Sequence, residues 1–253
     1  MSDNGYVKVS YEGGIAEITF FHPKSNSLPS NLLAELAENI KTAGENDNVN
    51  VILIKSEGKK AFCAGASFDE LLSIQNYETG KMFFMGFANV INAMRKTPKL
   101  IVTRVQGKTV GGGVGLVAAS DYALGVDESS IKLSEFALGI GPFVVGPAVE
   151  RKIGTAAFSQ MAIDYDWYDS LWARRKGLFA DTFETIDELD EAIGKLTGKL
   201  AKNSPMAASE LKKIFWQGTD HWDELLEQRA EISGRLVLSD YTVNYIEQFK
   251  KKK

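Results

Sequence analysis

The 253-residue sequence has little cysteine and histidine, and it has no long apolar run. Its one cysteine, Cys63, excludes an intramolecular disulfide, a CxxC redox pair and a thiolate zinc cage. The two histidines, His22 and His221, give little material for a histidine-rich metal site or a proton relay. No stretch approaches the roughly 18 apolar residues that a membrane span needs, and the first residues do not read as a secretory signal. We therefore expect a cytoplasmic protein without a membrane partner.

The charge balance also argues against nucleic acid as a partner. The chain carries 29 basic and 33 acidic side chains, a formal net charge of -4. Such a chain has no broad basic surface for nucleic acid, although a local basic patch could hold a small phosphorylated ligand. Hydrophobic residues at 44% and charged residues at 25% are typical of globular domains. Glycine, by contrast, is plentiful at 23 residues, and the positions of these glycines bear on where a ligand could approach the backbone.

The apolar pattern predicts an α/β fold. The segments 49–56 and 100–107 are continuous apolar runs of strand length, which is typical of strands covered on both faces. Strand patterns alternate with helical patterns over about the first 140 residues, which favours a layered sheet. Segments 122–126 and 131–136 are predicted as short extended pieces. The last third has few strand signals and is predicted to be a helical cap or oligomerisation element.

Two clusters of small residues stand between a strand pattern and a helix pattern. They are Ala64–Ala66 and Gly111–Gly113. Glycine lets the backbone approach a ligand closely, and the start of a helix offers free N–H groups. Two such N–H groups converging on one oxygen would form an oxyanion hole, which stabilises developing negative charge. Taken alone, each cluster is equally well explained as a tight strand-to-helix turn.

A dinucleotide-binding loop is a weaker alternative. Gly113, Gly115 and Ala118 satisfy a G-x-G-x-x-A pattern after a strand. That fingerprint needs an acidic residue about 20 positions later, at the end of the next strand. The nearest candidate, Asp127, comes too early, and several strands precede these glycines.

Five segments, in order along nearly the whole chain, resemble the enoyl-CoA hydratase/isomerase (crotonase) family. They are HPKSNSL at 22–28, VILIKSEGKKAFCAGASFDEL at 51–71, VQGKTVGGGVGLVAASDYALGV at 105–126, LSEFALGIGPFVVGPAVERKIG at 133–154, and LAKNSPMAASELKK at 200–213. The resemblance implies a spiral of ββα turns over residues 1–190, which would hold the acyl-CoA site. It implies a helical oligomerisation region over 191–253, assembled as a homotrimer or a dimer of trimers. Its partner would be an acyl-CoA thioester, with coenzyme A as part of the substrate and no separate cofactor.

The resemblance also assigns site residues. The N–H groups of Ala66 and Gly112 would hold the thioester carbonyl, and no metal ligand is implied. The side chains of Phe83, Phe84, Met85 and Phe87 are candidates to line the acyl pocket, although an aromatic stripe at helical spacing is usually part of the core. The residues implied to contact coenzyme A are Lys24, Ser25, Ser27, Ala64, Gly65 and Phe249. For Phe249, a frayed and solvated terminus is an equally good interpretation.

The carboxylates indicate the reaction. Hydratases of the family use two glutamates to position and deprotonate water, and the first of these positions is Gly115 here. The second is Glu135, and the LGIGPF sequence after it is similar to isomerases of the family that keep only this glutamate. One carboxylate suffices for a 1,3-proton shift, so we expect enoyl-CoA isomerisation. Hydration, decarboxylation of an acyl-CoA and non-catalytic acyl-CoA binding stay open as alternatives, with Glu150 a distant candidate for a second carboxylate.

One stretch departs from the family pattern. The aromatic segment YDWYDSLW, Tyr165–Trp172, stands where the family usually has a glycine-containing turn. It could reshape the acyl pocket or a subunit contact.

Overall fold

A computed structural model describes residues 5–251 of the chain, with side chains over residues 5–248. Strands and helices alternate over about the first 140 residues, as the apolar pattern predicts, and four consecutive helices end the described range. The strands are β1 (Tyr6–Glu12), β2 (Ile15–Phe21), β3 (Val51–Ser56), β4 (Ala61–Cys63), β5 (Leu100–Val105), β6 (Lys108–Val110), β7 (Tyr122–Val126), β8 (Ser130–Lys132), β9 (Tyr168–Asp169) and β10 (Asp181–Phe183). The helices are α1 (Ser30–Glu45), α2 (Phe68–Leu71), α3 (Tyr77–Lys96), α4 (Gly112–Ala119), α5 (Gly146–Asp164), α6 (Ser170–Arg175), α7 (Ile186–Leu200), α8 (Pro205–Phe215), α9 (Trp222–Leu236) and α10 (Asp240–Lys251). A 3₁₀ turn spans Phe136–Leu138.

The larger sheet has six strands in the order β1-β2-β3-β5-β7-β10. Strands β1 and β2 form an antiparallel hairpin, and every later neighbour pair is parallel. Parallel neighbours need a crossover between them, and the helices supply it. The α/β fold class is therefore confirmed.

Strand β3 shows why its sequence is apolar throughout. Ile52 and Ile54 point into the main core, which α1 and α3 also line. Val51 and Leu53 point to the opposite face, where Leu189 of α7 covers them. Because both faces of the strand are covered, alternation between apolar and polar residues is lost.

The smaller sheet positions the candidate site. Its order is β4-β6-β8-β9, and the first three strands run parallel. Sequence patterns did not predict β4 or β6, because three residues are too few to show a period. Parallel strands end at one edge, so the segments that follow β4, β6 and β8 must lie side by side.

The C-terminal helices pack on the core. Helix α9 lies along α3, and α8 is joined to the core by a buried ion pair between Lys212 and Asp121. The predicted boundary at residue 190 falls inside α7, and the two-part division stays a prediction. Strands β9 and β10 lie in the part predicted to be mainly helical. In residues 5–251, no helix is long and apolar enough to cross a membrane.

Candidate active site

Three neighbouring strands deliver the three predicted catalytic residues to one place. Ala66 follows β4, Gly112 follows β6 and Glu135 follows β8, each within three residues of the strand's end. The strands pair directly, β4 with β6 and β6 with β8. Segment 131–136 was predicted to be extended, but only its start is strand. The chain enters the 3₁₀ turn after Glu135, and the Glu135 carboxylate lies beside Gly111, the residue that follows β6.

The two glycine junctions are in contact. A Cβ atom on Gly65 would lie 3.1 Å from the Val110 carbonyl oxygen and 3.5 Å from the Gly112 nitrogen. The backbone of Gly65 also has a φ of +87°, a conformation that residues other than glycine rarely adopt. Within residues 5–251, neither Ala66 nor Gly112 donates its N–H to a backbone carbonyl. Two unpaired donors from adjacent segments are what an oxyanion hole requires.

The start of α4 adds to the positive potential at this point. Gly112 is the first residue of the helix and Gly111 is its N-cap, with φ +52° and ψ -115°. The first N–H groups of a helix have no intrahelical partner and carry the positive end of its dipole. An oxyanion at Gly112 would therefore meet both a hydrogen-bond donor and a favourable field.

The Glu135 carboxylate lies against the backbone of this junction. A Cβ atom on Gly111 would be 3.0 Å from Glu135 Oε1. The other carboxylate oxygen, Oε2, is buried without a hydrogen-bond partner among the described residues. Burial raises the pKa of Glu135 from 4.5 to about 7, because the ionised form loses its hydration. A carboxyl with such a pKa can both accept and return a proton near neutral pH.

These residues border an apolar cavity of about 180 Å³. Aromatic and aliphatic side chains form most of its wall, including Phe83, Phe84 and Phe87 of α3, as predicted. Met85 does not line it and packs on the main core instead. Glu135 is the one titratable side chain among the described residues that line the cavity.

Gly115 of α4 is the position that carries a glutamate in the hydratases. The space beside it is occupied by Val145, which lies outside α4. A Cβ atom on Gly115 would lie 2.6 Å from Val145 Cγ1 and 2.9 Å from Val145 Cβ. Both residues are buried, and Val145 itself lines the cavity. A side chain at Gly115 therefore has no space unless Val145 is made smaller.

The predicted coenzyme A loop is joined to the Ala64–Ala66 segment. Ala64 donates its N–H to the Ser25 carbonyl at 3.2 Å, and Leu28 donates to the Gly65 carbonyl at 2.8 Å. Lys24 forms an exposed ion pair with the Asp69 carboxylate. Lys24, Ser25 and Ser27 stand beside the cavity segment but do not line the cavity, whereas Ala64 and Gly65 do.

The other predicted site residues are not among the described residues that line the cavity. Phe249 falls in α10, but its side chain is outside the part of the chain that the structure describes. Glu150 accepts a hydrogen bond from Thr155 and does not line the cavity. The aromatic segment 165–172 does not line it either, although the Tyr165 ring meets the ring of Phe136, the residue after Glu135.

Val145 and Ser233 are among the wall residues that the sequence analysis did not single out. Val145 follows the 3₁₀ turn, and Ser233 lies on α9. No pattern in the sequence indicates Val145. The Ser233-Gly234 pair in an otherwise amphipathic helix is a signal of close helix packing. No cluster of three His, Cys, Asp or Glu side chains suited to a metal ion occurs over residues 5–251.

Fold and site together define an α/β protein whose parallel strands bring two backbone N–H donors and one buried carboxylate to an apolar cavity. The sequence model of the enoyl-CoA hydratase/isomerase family matches residues 10–242. The chain belongs to this family, the crotonase superfamily, as the motifs predicted.

Individual comparisons agree with that assignment. The chain is 24% identical over 249 residues to a probable enoyl-CoA hydratase of Bacillus subtilis (strain 168), covering 98% of this chain and 96% of the relative. It is 29% identical over 199 residues to the mitochondrial methylglutaconyl-CoA hydratase of Rattus norvegicus, covering 77% of this chain and 63% of the relative. The crystal structure of an enoyl-CoA hydratase from Bacillus halodurans has the same fold, with a TM-score of 0.89 at 21% identity over 96% of this chain and 99% of that one.

Proposed function

We propose that this protein isomerises an enoyl-CoA thioester by a 1,3-proton shift in which Glu135 moves the proton. The observation that carries the proposal is the single carboxylate at the cavity. Val145 fills the space beside Gly115, where a second carboxylate would have to stand. Two carboxylates hold and deprotonate water in a hydratase, whereas one group suffices to take a proton from one carbon and return it to another.

The proposed reaction begins with substrate polarisation. The thioester carbonyl accepts hydrogen bonds from the N–H groups of Ala66 and Gly112. Glu135, as the carboxylate, removes a proton from the α carbon of a 3-enoyl thioester, and the electrons move to the carbonyl oxygen. The two N–H groups and the positive end of α4 stabilise the resulting enolate oxygen, a contribution of about 3–4 kcal/mol for each donor of this kind.

The second step returns the same proton. Protonated Glu135 delivers it to the γ carbon as the enolate collapses, which leaves a 2-enoyl thioester and a carboxylate ready for the next turnover. The raised pKa of Glu135, about 7, suits both directions of transfer. The apolar wall of the cavity supports the proposal as well, because it disfavours water that would compete for the intermediate.

Hydration of a 2-enoyl-CoA is the second candidate. It is favoured by the names of the relatives, since the compared proteins from Bacillus subtilis and Rattus norvegicus are both called hydratases. This reaction would have to proceed with Glu135 as the one carboxylate at the water.

An acyl-CoA panel separates the candidates. Purified protein is incubated with 3-enoyl-CoA, with 2-enoyl-CoA and with a carboxyacyl-CoA. The products are separated by liquid chromatography against authentic 2-enoyl and 3-enoyl standards, and their masses are measured by mass spectrometry. We expect a 3-enoyl to 2-enoyl conversion without a mass change. Glu135→Gln should lower its kcat/KM by about 10²–10⁴-fold. The matched control is Glu128→Gln, which changes an exposed glutamate between β7 and β8.

Three results would overturn the proposal. Addition of 18 mass units to 2-enoyl-CoA as the main reaction would show a hydratase. Loss of carbon dioxide from the carboxyacyl-CoA as the main reaction would show a decarboxylase. Full isomerase activity in Glu135→Gln would show that another group moves the proton.

A further inference from the structure

Helix α3 runs along the cavity from the oxyanion site to the closed end. The Phe87 ring lies on Gly112, where an added Cβ atom would be 2.3 Å from ring carbons. Phe83 and Phe84 line the cavity about one turn earlier on α3, roughly 5–6 Å along the helix axis. Gly80 comes about one turn earlier again. The wall that an acyl chain would follow is therefore the face of α3 from Phe87 to Phe83, and Gly80 lies just beyond it.

Helix α9 crosses α3 at Gly80 in backbone contact. A Cβ atom on Gly80 would lie 3.0 Å from the Gly234 carbonyl oxygen, and one on Gly234 would lie 2.7 Å from the Lys81 nitrogen. Beside the crossing, Lys81 Nζ is 2.7 Å from Glu227 and 2.9 Å from Glu231. The contact at the crossing is between backbone atoms of Gly80, Lys81 and Gly234, and Val237 Cγ1 packs beside it.

The closed end is filled by packed apolar groups. Ser233, the residue before the crossing glycine, lines the cavity and is 1% exposed. Val237 at the end of α9 and Ile246 of α10 pack with Phe83 in a buried cluster. We therefore take Phe83 and Ser233 as the inner end of the cavity, because the Val237 and Ile246 side chains that pack with Phe83 are buried.

The volume of the cavity sets a limit on what enters. It is about 180 Å³, whereas a cavity of about 150 Å³ accommodates the six carbons of benzene. We propose that the crossing of α3 and α9 makes this protein selective for short acyl chains, of about four to six carbons including the thioester carbon. The inference deepens the proposed function, since it assumes that the cavity receives the acyl part of a thioester.

Binding of saturated acyl-CoA esters tests the length limit without any reaction. Dissociation constants are measured by calorimetry for chains of two to twelve carbons. Each buried methylene contributes about 0.8 kcal/mol, so the dissociation constant should fall about fourfold per carbon while the cavity fills. We expect this trend to stop at about six carbons and affinity to fall about tenfold or more by ten carbons, because the added carbons meet Phe83 and the crossing.

Two variants move the limit in opposite directions. Phe83→Ala should extend it by two or more carbons, and Ser233→Val should shorten it, because valine adds carbon atoms at the closed end. Met82→Ala is the matched control, since Met82 is the neighbouring residue on α3 and is 67% exposed. It should leave the length profile unchanged. If Phe83→Ala destabilises the fold, Ser233→Val still tests whether the length limit moves.

Turnover of the matching 3-enoyl-CoA series, measured alongside, distinguishes failure of this inference from failure of the proposed function. A length limit in binding without isomerisation at any length would contradict the proposed function and support the inference. Isomerisation with equal kcat/KM from four to twelve carbons would contradict the inference and support the function. An unchanged limit in both folded cavity variants would also overturn the inference.

Discussion

Replacing Glu135 by glutamine should raise the stability of this protein while removing its activity. The carboxyl has a pKa of about 7 in the folded chain, against 4.5 for an ordinary glutamate. Below pH 4.5 the group is neutral in both states and the folded state bears no penalty. As the pH rises from 4.5 through 7, the unfolded chain ionises first, and the folded state loses stability relative to it.

The size of the effect follows from these two pKa values. The penalty for ionisable Glu135 is about 1 kcal/mol at pH 5 and about 3 kcal/mol at pH 8. Glutamine has no ionised form, so Glu135→Gln should be more stable than the wild type by these amounts. For a chain of this length, 3 kcal/mol corresponds to a rise in Tm of roughly 6–12 °C.

The assay is urea unfolding followed by circular dichroism at pH 5 and pH 8, for wild type, Glu135→Gln and the control Glu128→Gln. The same proteins are assayed for isomerisation across the pH range. Wild-type kcat/KM should rise with pH and level off above about 7, because the carboxylate is the active form. A stability difference that is absent, or that does not grow from pH 5 to pH 8, would refute the reasoning that burial governs this carboxyl.

Three further predictions concern packing around the site. Gly112→Ala should lower kcat/KM by about tenfold or more and reduce stability by about 1–3 kcal/mol, because the added methyl overlaps the Phe87 ring. A combined kinetic and thermal-unfolding measurement checks it, and unchanged values in both would contradict it. Lys212→Met should destabilise the fold by about 3–5 kcal/mol in urea, because it leaves Asp121 charged and buried; a loss under about 1 kcal/mol would show that the pair is dispensable. Asn26→Ala removes the donor to two loop carbonyls at 2.8 and 3.0 Å, so KM for an acyl-CoA should rise with little change in kcat; steady-state kinetics test this, and a fall in kcat alone would oppose it.

Much of the fold could be predicted from sequence because long apolar strands carry a local signal. Strands β3 and β5 and helices α3 and α4 lie where the apolar pattern places them. The short strands β4, β6 and β9 were not predicted, since two or three residues carry no period. The extended prediction for 131–136 failed after Lys132, where strand β8 ends, and the chain then enters the 3₁₀ turn Phe136–Leu138.

The candidate site was predicted in part. The family resemblance selected Ala66, Gly112 and Glu135, and the structure brings the three residues together, while their catalytic roles stay predictions. The wall at Val145 and Ser233 was not found, since these residues reach the cavity only through long-range packing of α5 and α9. Coenzyme A contacts and oligomeric state stay predictions.

By itself, the sequence determined the family, the α/β architecture and the absence of a carboxylate at Gly115, because these depend on residue types and their order. Only the tertiary structure decided that the N–H groups of Ala66 and Gly112 share a junction with the Glu135 carboxylate, and that Val145 fills the space beside Gly115. It also decided that Ser233 of α9 joins the cavity wall. The physical reason is the same in each case. The pairing of β6 with β4 and with β8, and the contacts between helices that are distant in sequence, depend on how the whole chain buries its apolar surface. No local sequence pattern records that burial.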